Sequence, residues 1–175
     1  MTNKFILSTK LTTPAPAGDE GTGIQSLYVS IVPTVVYKSS DIKSMGGSYI
    51  LGSDIQAFTV DTSVGTASNP FLGTIDGQLR TIHNPTVPLI AYADGATIKN
   101  VIMQDVAIST GENVGAIANV VEGTSGRVAS IYNCGILSGS VSGSGSVGGI
   151  VGLLGSKTDN DKCYARVINC YSYDS

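Results

Sequence analysis

The chain has 175 residues, enough for one domain with a substantial core, and its 10 basic and 13 acidic residues give a formal net charge of −3. Its Lys and Arg residues form no cluster, so nucleic acid is not expected as a partner. Charged residues make up only 13% of the chain and 22 residues are glycine, a composition that favours short strands joined by turns.

No segment resembles a membrane span or a secretory signal. A membrane-spanning helix needs about 20 consecutive apolar residues, and no run approaches that length. The apolar run nearest the start, residues 5–7, is also shorter than the about 7–15 apolar residues of a signal peptide. We therefore expect a chain without a transmembrane segment.

Residues 1–38 carry no repeat and are predicted to form an N-terminal segment of their own. Residues 4–11 could make one short strand, and 12–23 are rich in Pro, Gly and Thr, as in a linker. Residues 26–37 are β-branched and aromatic, which predicts one or two strands with Pro33 at a break or an edge. Such a segment could cap the first turn of the structure that follows.

A short helical turn and an extended segment come next. Residues 39–45, SSDIKSM, offer serine or aspartate caps for a brief helical turn, which Gly46 and Gly47 would end. Residues 48–55, SYILGSDI, then resume an extended pattern.

An internal repeat dominates the rest of the chain. Residues 97–120 align with residues 130–153 without a gap, so that every equivalent pair is separated by the same 33 residues. A third copy opens at residue 167, 36 residues after its counterpart, and the polar stretch 157–162 accounts for the extra length as an enlarged loop. A gapless apolar repeat of this kind indicates units that bury their faces only by stacking on one another.

Stacked strands about 4.8 Å apart would align equivalent residues in ladders. The apolar residues alternate, and the glycine-rich stretch 138–149 argues against helical units, because each helical glycine costs roughly 1 kcal/mol. The asparagines would lie at corners in left-handed geometry, and the other positions would point inward. Three ladders are predicted: Ile98, Ile131 and Val167; Asn100, Asn133 and Asn169; and Val101, Cys134 and Cys170.

These residues resemble the GLUG family of bacterial surface repeats, whose pattern runs Ile-x-Asn-Cys-Tyr, a Gly/Ser turn, and Val-Gly-Gly-Leu-Val-Gly. The pattern matches IYNCGILSGSVSGSGSVGGIVG at 131–152 and VINCYS at 167–172. Upstream segments within 41–108 are similar to the lead-in of such domains, and the resemblance covers about 39–174. It implies an all-β fold, a right-handed parallel β-helix, on a secreted or cell-surface bacterial protein. Similar segments occur in IgA-cleaving metalloproteases.

The chain stops just inside the third copy of this pattern. An open end would expose unpaired backbone, so we expect the native polypeptide to continue past Ser175 with further domains.

Catalysis is not expected, and no cofactor is indicated. The chain has a single histidine, His83, and lacks both HExxH and GxSxG. Glycan cleavage by a β-helix would need carboxylates converging on one face. The candidate acids recur at no matching repeat position, and Asp76-Gly77 is better explained as a turn. These candidates are Asp54, Asp61, Asp76, Asp94 and Asp105.

Metal and disulfide sites are weakly indicated. Asp159 and Asp161 offer oxygen ligands for calcium, but the glycine and terminal Glu of a calcium loop are missing. Cys134 and Cys170 would fall within disulfide range, yet side chains in parallel ladders point the same way, which favours free thiols. With Cys163 the chain has three cysteines, an odd count without CxxC spacing.

Three functions remain open. The first is a non-catalytic adhesion module that recognises host glycan or a surface protein, with tyrosines such as Tyr132, Tyr164, Tyr171 and Tyr173 available to its surface. The second is a rigid stalk or accessory domain of a larger surface protease or other enzyme. The third, and least favoured, is a glycan-cleaving enzyme.

Overall fold

The computed structural model describes residues 32–52, 58–109, 111–124, 126–155 and 164–173. The chain divides into two compact units, Met1–Val32 and Pro33–Ser175. The second unit is all-β in its described part, apart from one 3-10 helix at Ser39–Asp41. The features predicted for residues 4–11, 12–23 and 157–162 lie outside the described residues, as do Asp54 and Cys163.

Fifteen strands are found in the described ranges. In chain order they are β1 (Thr34–Val36), β2 (Ser48–Leu51), β3 (Thr74–His83), β4 (Ile90–Asp94), β5 (Thr97–Gln104), β6 (Val106–Ser109), β7 (Val114–Gly115), β8 (Ala118–Glu122), β9 (Ala129–Tyr132), β10 (Gly135–Ile136), β11 (Gly139–Ser142), β12 (Val147–Gly148), β13 (Val151–Leu154), β14 (Ala165–Ile168) and β15 (Tyr171–Ser172).

The strands pair in parallel and form four sheets within the described ranges. Eight strands make the main sheet, in which β1, β2, β3, β5, β10 and β15 follow one another and β9 lies between β5 and β14. The second sheet pairs β6 with β11, the third pairs β7 with β12, and the fourth has the order β4, β8, β13. From β5 to β8, the successive strands of the chain therefore belong to four different sheets, and each of these sheets is extended by a strand from the next repeat.

The register reproduces the 33-residue repeat. Val106 pairs with Gly139, Val114 with Val147, and Ala118 with Val151, so that the second, third and fourth sheets share one spacing. In the main sheet, Thr97 pairs with Ser130 at the same spacing of 33 residues, whereas Ala129 pairs with Ala165 at the longer spacing of 36 residues.

The core lies between the sheets and is built from the alternating residues. In β6, Val106 and Ile108 are buried while Ala107 and Ser109 are exposed, the alternation of a strand with one face inward. In β5 the buried positions are Ile98, Val101 and Met103. Ile98 and Val101 are three residues apart, rather than two, because Asn100 between them has a φ of 56° and turns the chain within the strand.

Two local predictions were wrong. The 3-10 helix forms, but its N-cap is Lys38 and has no side-chain cap, because Ser39 and Ser40 instead bond the carboxylate of Asp61. Asp76 and Gly77 are not a turn but part of β3. The chain bends just after them, at Gln78 and Leu79, which have positive φ where the register to β5 shifts.

The burial of Ile117 generates a stability prediction. Ile117 lies in the chain between β7 and β8, and its side chain is fully buried. Ile117→Asp should lower the free energy of unfolding by at least ~3 kcal/mol, because the new carboxylate would be desolvated without a partner. Urea unfolding followed by circular dichroism measures the change. Ile150→Asp, at the half-buried equivalent position, should cost less.

Ala107→Asp is the matched control, because Ala107 is exposed although the residues before and after it in β6 are buried. It should leave the unfolding midpoint nearly unchanged. Equal effects of Ile117→Asp and Ala107→Asp would contradict the assignment of an inward face.

Candidate functional site

The strongest cluster of polar side chains lies at the corner where the asparagines recur. Asn100, Asn133 and Asn169 have φ values of 56°, 53° and 50°, the left-handed conformation that asparagine tolerates better than most residues. Asn100 lies within β5, whereas Asn133 and Asn169 directly follow β9 and β14. The corner turns the chain without interrupting the stacking on either side.

Asn133, Asn100 and Asp76 form a row of side-chain hydrogen bonds, here called the polar row. The Nδ2 of Asn133 donates to Oδ1 of Asn100 at 3.3 Å, and the Nδ2 of Asn100 donates to Oδ1 of Asp76 at 2.9 Å. The amide of Gln78 also donates to Asp76, at 2.9 Å, and Lys99 forms an ion pair with its Oδ2 at 3.1 Å. The carboxylate of Asp76 thus accepts the last hydrogen bond of the polar row.

The charge of Asp76 is stabilised by these donors. Partial burial by itself raises the pKa of this carboxyl, but the hydrogen bonds from Asn100 and Gln78 and the nearby Lys99 outweigh burial and lower the pKa below 3.8. The same contact raises the pKa of Lys99. Both groups are charged at neutral pH and hold each other, which suits a structural link better than proton transfer.

Two other candidate acids, Asp61 and Asp105, are also held by hydrogen bonds from residues distant in the sequence. Asp61 accepts from the hydroxyls of Ser39 and Ser40, which lower its pKa to about 2. Asp105 accepts from the hydroxyl of Ser138 at 2.8 Å, across one repeat of 33 residues. The structure places these two acids in separate local contacts rather than in one converging group.

Asp94 lies in a second polar cluster that the sequence did not indicate. It pairs in register with Glu122 of the next repeat, and Tyr92 sits two residues before it on β4. Burial, together with a hydrogen bond to Glu122, raises the pKa of Tyr92 to about 12. Arg127 donates to the backbone oxygen of Asp94 at 2.8 Å. The unequal spacing of β4 and β8 hides this pairing from a search for equal repeats.

A small cavity opens beside His83. Its volume is about 250 Å³, and its described lining residues are Leu51, Gly52, Phe58, Arg80, Thr81, Ile82 and His83. Nη1 of Arg80 donates to the backbone oxygen of Leu51 at 2.6 Å. The polar side chains among these described lining residues are those of Arg80, Thr81 and His83, and the described lining includes no carboxylate and no thiol.

The predicted ladders and metal ligands are placed as follows. Ile98 pairs with Ile131, and Ile131 with Val167. Cys134 is buried, Cys170 is half-buried, and both are free thiols. Asp159 and Asp161 lie outside the described residues. Within the ranges that the structure covers, no three His, Cys, Asp or Glu side chains are grouped to hold a metal ion, and no helix could span a membrane.

Comparison with known proteins identifies the relatives of this repeat. The family described as the M26 IgA1-specific metallo-endopeptidase N-terminal region matches residues 40–133, more than half of the chain. The chain belongs to this family. The match spans β2 to β9 and therefore includes the polar row from Asp76 to Asn133.

Individual relatives agree with the family. An immunoglobulin A1 protease of Streptococcus pneumoniae is 28% identical over 138 residues, which are 74% of this chain and 7% of that protein. An immunoglobulin A1 protease of Streptococcus sanguinis is 28% identical over 136 residues, 73% of this chain and again 7% of that protein. The chain thus corresponds to a small part of these M26 relatives. No solved structure gives a significant match to it.

The polar row predicts that two substitutions of Asn100 lower the free energy of unfolding by different amounts. Asn100→Gly keeps the left-handed corner but removes both side-chain hydrogen bonds, and should cost about 1 kcal/mol of unfolding free energy. Asn100→Ala also loses the corner preference and should cost roughly 1 kcal/mol more. Urea unfolding of both variants measures the difference. Equal losses would show that the backbone conformation at Asn100 contributes nothing.

The contacts of Asp61 predict a pH effect. Its pKa in the folded protein, about 2, lies below the ordinary 3.8, so its contribution to stability is complete above about pH 3.8 and is lost as the pH falls towards 2. Ser40→Ala should raise the pKa of Asp61 towards 3.8, measured by carbon-detected NMR titration. Ser140→Ala, at an exposed strand position, is the control and should not move it.

Proposed function

We propose that this chain is a non-catalytic accessory module of a larger secreted or surface protease. The observation that carries the proposal is the match of residues 40–133 to the N-terminal region of an endopeptidase family, by a chain that spans 7% of its relatives. A region of that size, which lacks HExxH, would leave metallopeptidase chemistry to other parts of the longer protein.

We also propose that the four sheets are the faces of a right-handed parallel β-helix of the GLUG type. The support is that β5 to β8 and β9 to β13 enter the sheets in the same order and pair across 33 residues. A right-handed path is expected because crossovers between parallel strands are almost always right-handed. Each coil would add about 4.8 Å to the length of the stack.

A mechanical role suits the bonds between the repeats. The contacts of Asp61, Asp76 and Asp105 each connect residues that are 21 to 33 positions apart, and the contact of Asp105 with Ser138 joins two repeats. Continuous backbone pairing in four sheets resists bending, since a hinge would have to break hydrogen bonds in several sheets at once. A rigid module of this kind would hold a catalytic or binding domain at a fixed distance from the part of the protein on its other side.

The comparisons support this accessory role better than the adhesion module expected from the sequence. The relatives' names describe proteases of immunoglobulin A1. An extracellular or cell-surface location follows from the same proposal. A host glycan or protein partner remains a prediction.

A domain exchange in the Streptococcus pneumoniae relative tests the proposal. The aligned segment of that protease is replaced either by residues 33–173 of this chain or by a flexible Gly/Ser linker with the same number of residues. The graft should keep cleavage of immunoglobulin A1 and the linker should reduce it, because only the graft preserves a stiff spacing. The isolated chain should not cleave immunoglobulin A1.

The graft carrying Ile117→Asp is the matched control and should behave like the linker. A linker variant that cleaves as fast as the parent would exclude a spacing role. Cleavage by the isolated chain would exclude a non-catalytic module, and saturable binding of the isolated chain on a glycan array would favour adhesion instead.

A further inference from the structure

Cys134 and Cys170 occupy equivalent positions of neighbouring repeats in the main sheet. Gly135 pairs with Tyr171 and Ile136 with Ser172, so the two preceding residues, the cysteines, lie side by side. The amide of Tyr171 donates to the backbone oxygen of Cys134 at 3.1 Å, and the amide of Cys134 lies 3.4 Å from Sγ of Cys170. Adjacent strands are about 4.8 Å apart, within the Cα separation that a disulfide spans.

The two thiols have matching surroundings. Sγ of Cys134 donates to the backbone oxygen of Tyr132 at 3.4 Å, and Sγ of Cys170 donates to that of Ile168 at 3.3 Å, in each case two residues back along the chain. A thiol is a weak donor, so turning both sulfur atoms towards each other sacrifices little. Few hydrogen bonds therefore hold the two sulfur atoms apart.

The thiols differ in access. Cys134 is fully buried, and burial, with Cys170 close by, raises its pKa to about 12. Cys170 is half-buried and is the thiol that solvent reaches first. An oxidant would therefore react at Cys170, and the resulting mixed disulfide would sit against the thiol of Cys134.

We propose that Cys134 and Cys170 are a redox-active pair that closes to a disulfide between neighbouring repeats, with a low-molecular-weight disulfide as the oxidant. The Cys170 thiol loses its proton to solvent, and its thiolate attacks one sulfur of the oxidant and expels the other as a thiolate, which takes up a proton. The Cys134 thiol then loses its proton, attacks Sγ of Cys170 and expels the second small thiol. Two cysteine thiols are oxidised and one small disulfide is reduced to two thiols.

The disulfide acts on the least buried strands of the stack. Val167 and Ile168 in β14 are 39% and 43% exposed, and β15 is exposed throughout, whereas Ile131 in the preceding repeat is fully buried. A cross-link at Cys170 fixes the loop between β14 and β15 to the better buried repeat. Because parallel neighbours project their side chains the same way, the bond is strained, and strained disulfides are readily reduced. The pair thus tightens the third repeat reversibly.

The test uses the 175-residue chain carrying Cys163→Ser, so that Cys134 and Cys170 are its remaining cysteines. After incubation with oxidised glutathione in mildly alkaline buffer, intact mass should show the loss of two hydrogens. Trypsin should then yield residues 128–157 joined to residues 167–175, a species that dithiothreitol separates. Hydrogen exchange of the β14 amides should slow at least about tenfold on oxidation, since local opening would be restricted.

The matched control carries Cys163→Ser and Cys170→Ser and should show neither the linked peptides nor the change in exchange. Two outcomes overturn the site: both thiols remain open to alkylation, or the reaction stops at a glutathione adduct on Cys170. Linked peptides with unchanged exchange in β14 would overturn its effect on the third repeat.

Discussion

The stacking of equivalent aliphatic residues from successive repeats is the interaction on which the remaining structure depends. Ile75, Ile98 and Ile131 pair in turn along the main sheet and are fully buried, while Val167, the next member, is 39% exposed. A strand of this kind has a single apolar face and buries it only when strands of other sheets close the core around it. Stability therefore accumulates between neighbours, and the buried fraction depends on having a repeat on both sides.

The corners obey the same constraint. A chain that must turn at the same point in every repeat needs a residue that accepts left-handed geometry, and asparagine does so at positions 100, 133 and 169. Gly139 has a φ of 115° and approaches the backbone of Val106 so closely that a side chain would collide with it. Asparagine has the further advantage that its amide can bond the asparagine of the next repeat, as Asn133 does with Asn100.

The polar groups that suggest chemistry in the sequence mainly connect repeats in the structure. Carboxylates of Asp61, Asp76 and Asp105 accept from hydroxyl or amide donors of a neighbouring repeat, and Arg166 reaches Ser130 across 36 residues. The pKa values of the Asp61 and Asp76 carboxyls are lowered by these contacts, the opposite of a carboxyl kept protonated for acid catalysis. Membership of the M26 N-terminal family and this use of charge both support the proposed accessory role.

The sequence by itself determined the features that recur at equal spacing. The 33-residue repeat, the alternating inward residues of β5 and β6 and the all-β class could be predicted because each repeats a local pattern in registered strands. Tertiary structure alone decided the contacts between repeats of unequal length. The Asp76–Lys99 ion pair spans 23 residues and the pairing of Asp94 with Glu122 spans 28, rather than 33. The bend at Gln78 and Leu79 lies where the register between β3 and β5 shifts. The physical reason is that an equal spacing identifies stacked neighbours directly, whereas an irregular one acquires its register only when the chain has folded around the core.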